Sequence, residues 1–237
     1  MFSKWRKYSY AAQKSRRHQL WWILIWFGAF FILYTIISAF FFMVVLENET
    51  MQPGLYSGDR LIFFSYRLQR FFSDSRDSPF RRGNVVLVDL DRGKRGGVFS
   101  GILDSLIRFF TLQRLSLNDP GGRLFIKRVI GLPGDEISMI NFVLKVKPAG
   151  EIYDLTEFEL ADRSYTPIIP QVPALWDESI PFSGNMDPVV LGDNECFLLS
   201  DDRSNTNDSR TWGPVDLNQI AGKAVFRYWP FTRLGQP

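Results

Sequence analysis

The sequence predicts a mainly β domain, a barrel or sandwich, held behind one N-terminal transmembrane helix. Three observations carry this. Residues 20–46 form an apolar run without a charge; the rest of the chain is punctuated into short apolar segments by Gly and Pro turns; and no internal repeat or long helical periodicity interrupts that pattern.

Residues 1–19 contain Lys4, Arg6, Lys7, Lys14, Arg16 and Arg17 and no acid. As a helix, residues 20–46 would extend about 40 Å, enough to cross a hydrocarbon core of about 30 Å with some tilt. A cleavable signal peptide has an apolar core of only about 7–15 residues, so the run reads as a retained anchor. Trp21, Trp22 and Trp26 near its basic end suit a membrane interface. Beyond it, residues 47–65 carry one base, Arg60, against Glu47, Glu49 and Asp59. The asymmetry predicts a single-pass protein of the cytoplasmic (inner) membrane, N-terminus in the cytoplasm and residues 47–237 on the outer or periplasmic side.

Six of the 28 bases lie in the tail, and the remainder holds fewer bases than its 25 acids, so the net charge of +3 is no nucleic-acid signal. The single cysteine, Cys196, has no internal disulfide partner and reads as a buried small hydrophobe. The single histidine, His18, precedes the span. The exported part therefore has no Ser-His-Asp triad, no Cys-His dyad and no histidine-containing metal site. Nucleophilic catalysis there would need a carboxylate, a lysine or an amine as base.

Strands are expected over 60–66, 84–89, 124–130, 136–146, 195–199 and 221–228. Residues 68–82 read as a polar loop, 102–110 as a short amphipathic helix that either packs on the sheet or rests on the membrane, and 151–188 as a more irregular lobe. In the stretch Leu124-Phe125-Ile126-Lys127-Arg128-Val129-Ile130-Gly131, alternation puts Phe125, Lys127 and Val129 on one face. If that face is interior, desolvation lowers the Lys127 pKa toward the range of a working base; if the strand lies at an edge, the ammonium reaches solvent.

Five blocks then occur in one order. Glu49-Thr50-Met51-Gln52-Pro53-Gly54-Leu55 with Gly58-Asp59, Arg82-Gly83-Asn84-Val85-Val86, and Lys127-Arg128-Val129-Ile130-Gly131-Leu132-Pro133-Gly134-Asp135 come first. Ser200-Asp201-Asp202-Arg203 through Asp208-Ser209-Arg210-Thr211-Trp212-Gly213 and Ile220-Ala221-Gly222-Lys223-Ala224 with Trp229-Pro230 follow. Together they resemble the type I signal peptidases, membrane-anchored serine/lysine-dyad proteases. The resemblance implies removal of signal peptides from exported preproteins, with membrane lipid and the secretion machinery as further partners and no cofactor or metal. It implies Lys127 as the neutral base and position 50 as the nucleophile. Here Thr50 replaces serine: the hydroxyl is kept, but the β-methyl restricts χ1. Asn48 stands where the family often has an oxyanion-hole serine. It is either a donor beside the Thr50 N–H or an ordinary turn residue. Thr206 matches the family's lysine-orienting serine. Arg128, Asp201, Asp208 and Arg210 match supporting ion-pair positions, and Met51 and Pro53 the edge that shapes the site. Ser200 and Asp202 depart from the family's Gly and Asn. The strand at 82–89 and the flanks of Thr50 are expected to line shallow pockets for small side chains. The alternative is a catalytically silent paralogue that binds preproteins or assists assembly.

Overall fold

The computed structural model describes residues 10–66, 80–90, 124–162, 164–171 and 184–237. The predicted helix at 102–110 and most of the polar loop at 68–82 lie outside them. Helix α1, Tyr10–Phe40, contains the 22-residue segment Arg17–Ser38, which is long enough to cross a membrane and has an 18-residue window of mean hydropathy 2.2.

The apolar run 20–46 does not remain helical throughout. Phe41–Val45 is strand β1, paired antiparallel with β2 (Arg60–Ser65) from Phe41↔Phe64 to Val45↔Arg60. Its burial alternates residue by residue, the period of a strand with one covered face. Among the described residues, seven strands form the larger sheet. It contains β3 (Val85–Asp89), β4 (Leu124–Gly131), β9 (Glu195–Leu199), β10 (Val215–Asp216) and β11 (Ile220–Trp229) in the order β1-β2-β11-β3-β4-β9-β10. The smaller sheet, in the order β7-β6-β5-β8, is built from β5 (Glu136–Ile140), β6 (Val143–Lys147), β7 (Leu155–Thr156) and β8 (Met186–Val190).

The segment expected as one strand at 136–146 is thus a hairpin. Asn141 and Phe142 turn it with φ of 50° and 66°, the left-handed pair that matches the twist of flanking strands. A phenylalanine there is unusual, and it is fixed from outside: Phe142 is buried and its N–H donates to Gly184 O at 2.8 Å. Parts of the lobe at 151–188 are likewise regular, since β7 and β8 flank that hairpin and helix α2 (Glu157–Leu160) follows β7 directly.

Both faces of the central strands are covered. Val85 and Leu87 pack with Leu46, Met51, Leu55, Leu61, Phe63 and Ile126, whereas Val86 and Val88 pack with Val129, Cys196, Leu198, Val215 and Ile220. A third cluster joins the sheets, with Ile130, Phe197 and Leu199 from one against Ile137, Met139, Leu144 and Val146 from the other. Cys196 is buried, burial pushes its thiol pKa up, and its Sγ donates to Val215 O at 3.3 Å. Where β11 crosses β2, a Cβ on Gly222 would meet Phe64 O at 2.4 Å, and a backbone carbonyl inside a ladder cannot yield. Gly222→Ala is expected to destabilise the domain by about 3 kcal/mol, measured by denaturant unfolding; a loss below about 0.5 kcal/mol would contradict this packing.

Candidate active site

Strand β4 is interior. Antiparallel pairing sets Lys127 opposite Val86 of β3 and Arg128 opposite Leu199 of β9. The alternation of side chains then puts Lys127 on the face of Val86, Val129 and Leu198, and Arg128 on the other. Lys127 is 1% exposed. Its Nζ donates to Ser200 Oγ at 2.7 Å and lies 5.9 Å from the centroid of the Trp212 ring. Burial pulls its pKa from 10.5 down to about 8; the carboxylate of Asp208 opposes this and the guanidinium of Arg210 adds to it.

On the opposite face Arg128 holds Asp201 through both carboxylate oxygens, at 2.7 and 2.5 Å, and donates to Gly83 O at 2.7 Å. Its guanidinium lies 4.3 Å from the centroid of the Tyr165 ring. Asp208 caps helix α3 (Ser209–Trp212) and accepts from Arg210 Nε at 2.9 Å and Nη2 at 2.8 Å. Burial pushes the Asp208 carboxyl up, but the bonds and charge of Arg210 outweigh it and hold the pKa below the usual range. Asp208 also accepts the Ser200 N–H at 3.0 Å. Arg203 Nε donates to Ser200 O at 3.0 Å, and its guanidinium is paired with Glu157 in full burial. Position 200 is therefore held at both backbone polar atoms by the charged residues of its own loop.

Residues 48–55 form bends and turns rather than an extended strand. Thr50 is buried, its Oγ1 donates to Asn48 Oδ1 at 3.2 Å, and its carbonyl accepts from Asp202 N at 3.1 Å. That last bond ties the Thr50 loop to the segment that carries Ser200 and Asp201. Among the described residues no acceptor takes the Thr50 N–H, and no hydrogen bond joins Thr50 to Lys127. The loop is also held by Asp59, which accepts from Tyr56 N, Arg227 and Arg233, and by Arg227 Nη1 donating to Gly54 O at 2.9 Å. Met51 is fully buried among Val85, Leu87 and Ile126, and Pro53 is exposed.

Thr206 is the expected site residue that the geometry sets apart. It is exposed, and its recorded bonds run through its carbonyl, which accepts from Asp208 N at 2.8 Å and Thr211 Oγ1 at 2.5 Å. The hydroxyl on Lys127 belongs to Ser200. The reason is position in the chain: Ser200 directly follows Leu199, which β9 sets opposite Arg128, whereas Thr206 sits six residues farther along the loop. Asn48 presents its carbonyl oxygen to Thr50, the acceptor end of an amide whose nitrogen an oxyanion would need. Trp212, Tyr165 and Glu157 also enter the surroundings of the site, the last two through Arg128 and Arg203, contacts that only the tertiary structure reveals.

Comparison with known proteins identifies the family of the chain. Residues 19–229 match the signal peptidase, peptidase S26, family. The chain is 32% identical over 192 residues to a probable signal peptidase I-2 of Synechocystis sp., covering 80% of this chain and 64% of that protein. It is 28% identical over 227 residues to signal peptidase I of Bacillus caldolyticus, covering 93% and 96%. It is 30% identical over 161 residues to signal peptidase IB of Staphylococcus aureus, covering 67% and 75%. With the matched region running from α1 to the end of β11, the chain belongs to the signal peptidase family, peptidase S26.

Proposed function

We propose that the protein is a membrane-anchored endopeptidase that removes signal peptides from exported preproteins, with Thr50 as nucleophile and Lys127 as general base. The observation that carries this reading is Lys127 itself: a lysine 1% exposed, with its pKa brought down to about 8, in a domain without histidine. A tenth or so of the amine is neutral at pH 7, and more above it, which suffices for a base. Lys127 accepts the Thr50 proton as Oγ1 attacks the scissile carbonyl, and the resulting ammonium protonates the leaving amine. The ester on Thr50 is then cleaved by a water that Lys127 deprotonates, which regenerates the hydroxyl. The open N–H of Thr50 suits the developing oxyanion, with the Asn48 amide as second donor once it turns its nitrogen inward. Arg128, Asp201, Asp208 and Arg210 hold the backbone around the site, Pro53 borders the substrate edge, and Met51 supports that edge from the core. The helix at Arg17–Ser38 anchors the chain with its basic end in the cytoplasm, so that the peptidase domain meets preproteins at the outer face beside the secretion machinery.

One observation favours a second reading. The Thr50 hydroxyl donates to Asn48, not to Lys127, as in a silent subunit that binds preproteins without cutting them. Precursor cleavage in detergent separates the two. With a substrate bearing small residues at the first and third positions before the cut, Thr50→Val is expected to lose at least about 10³-fold in kcat/KM, the scale of losing a nucleophile. Thr50→Ser, free of the β-methyl, should equal or exceed wild type. Unchanged cleavage by Thr50→Val overturns the assignment, and a wild type that binds precursor without cutting it establishes the silent reading.

A further inference from the structure

We infer that Ser200 is the residue that positions the lysine base, so that this chain orients Lys127 from the end of β9 rather than from the loop at Thr206. The inference rests on Lys127 being the base. Ser200 Oγ lies 2.7 Å from Lys127 Nζ, and Ser200 is fully buried. The contact is dictated by topology. β4 and β9 pair as neighbours with Arg128 opposite Leu199, the last residue of β9, so the chain leaving the strand at Ser200 is beside Lys127. A residue without a side chain at this position would leave the amine no oxygen here.

The backbone that carries the hydroxyl is also fixed. Asp208 Oδ2 accepts the Ser200 N–H and Arg203 Nε donates to the Ser200 carbonyl, both at 3.0 Å, which holds the Cα–Cβ bond in place beside Lys127. Thr206 lacks this support: it is exposed and its side chain makes no hydrogen bond among the described residues, whereas its carbonyl is engaged by Asp208 N and Thr211 Oγ1. A neutral amine has one lone pair and two N–H bonds, and rotation about its final C–N bond decides where the pair points. By accepting one N–H, Ser200 removes that freedom and leaves the lone pair for the nucleophile's proton. The same bond favours the ammonium over the amine, because the charged form donates more strongly. The departure from glycine at 200 and the exposure of Thr206 are then two sides of one rearrangement.

The test uses the full-length protein in detergent with one precursor. Ser200→Ala keeps the backbone and removes the oxygen, and Ser200→Gly removes the whole side chain; thermal unfolding of each checks that it is folded. Loss of orientation is expected to lower kcat by about 30-fold with KM within about twofold, the scale of misplacing a catalytic group. The acidic limb of kcat/KM should move about half a pH unit lower, since the ammonium has lost an acceptor. Thr206→Val, assayed beside them, is expected to lose at least about tenfold less than Ser200→Ala. A merely structural Ser200 would lower the melting point without moving the limb, and that result overturns the inference. So does a Thr206→Val loss equal to or larger than that of Ser200→Ala. Failure of the underlying reading looks different: Lys127→Met would then still cleave, whatever Ser200 does.

Discussion

Lys127→Met is expected to abolish precursor cleavage and, at the same time, to stabilise the domain. The loss of activity follows from removing the proposed base, at least about 10³-fold in kcat/KM. The gain follows from linkage. Burial has brought the folded-state pKa to about 8, below the 10.5 of an exposed lysine, so the folded protein binds its proton less tightly than the unfolded chain. Below pH 8 folding bears the whole penalty, which is relieved as pH rises from about 8 to 10.5 and the unfolded chain alone remains protonated. The difference amounts to roughly 3 kcal/mol. Methionine fills a similar volume without charge, and the orphaned Ser200 hydroxyl returns about 1 kcal/mol of the gain. Denaturant unfolding should therefore find Lys127→Met about 2 kcal/mol more stable than wild type at pH 7 and no more stable at pH 11. Equal or lower stability at pH 7 would mean that the amine is not desolvated.

The second large effect lies in the ion pair that ties α2 to the site loop. Arg203 and Glu157 are both fully buried in their side chains. Arg203 also donates to Phe142 O and Ser200 O, and Glu157 accepts from Tyr165 Oη at 2.5 Å and Leu144 N at 3.2 Å. Burial pushes the Tyr165 pKa up, reinforced by the Glu157 charge, so the phenol stays protonated and keeps donating. Glu157→Ala leaves a guanidinium buried without its counter-charge, at a cost of about 3–5 kcal/mol. For a domain of this size that lowers the melting point by on the order of 10 °C. Because Arg203 grips the Ser200 carbonyl, cleavage per folded molecule should fall as well. A melting point within about 2 °C of wild type would show that the pair is not the tie it appears from burial.

Much of this was legible in the chain and some was not. The strands at 60–65, 85–89, 124–131 and 195–199 are short apolar runs rich in β-branched, aromatic or leucine residues and bounded by turn residues, and they form close to where those signals lie. Residues 41–45 were hidden because an apolar run carries no mark dividing helix from strand; pairing with β2 decides it. The hairpin at 141–142 was hidden because its turn uses a phenylalanine, held by Gly184 and Arg203 from distant parts of the chain. At the site, Lys127 could be singled out from its strand and the lack of an exported histidine, and Thr50 only through the family resemblance of its block. Ser200 could not, since a hydroxyl's reach to the lysine depends on which strand neighbours β4 and in what register.

The dependence of kcat/KM on pH tests the central claim most directly. If a desolvated Lys127 is the base, cleavage by the wild type in detergent rises about tenfold per pH unit at low pH and levels near pH 8, with the limb moved by Ser200→Ala. A profile that is flat from pH 6 to 9, or that keeps rising to about pH 10.5 as for an exposed lysine, contradicts it.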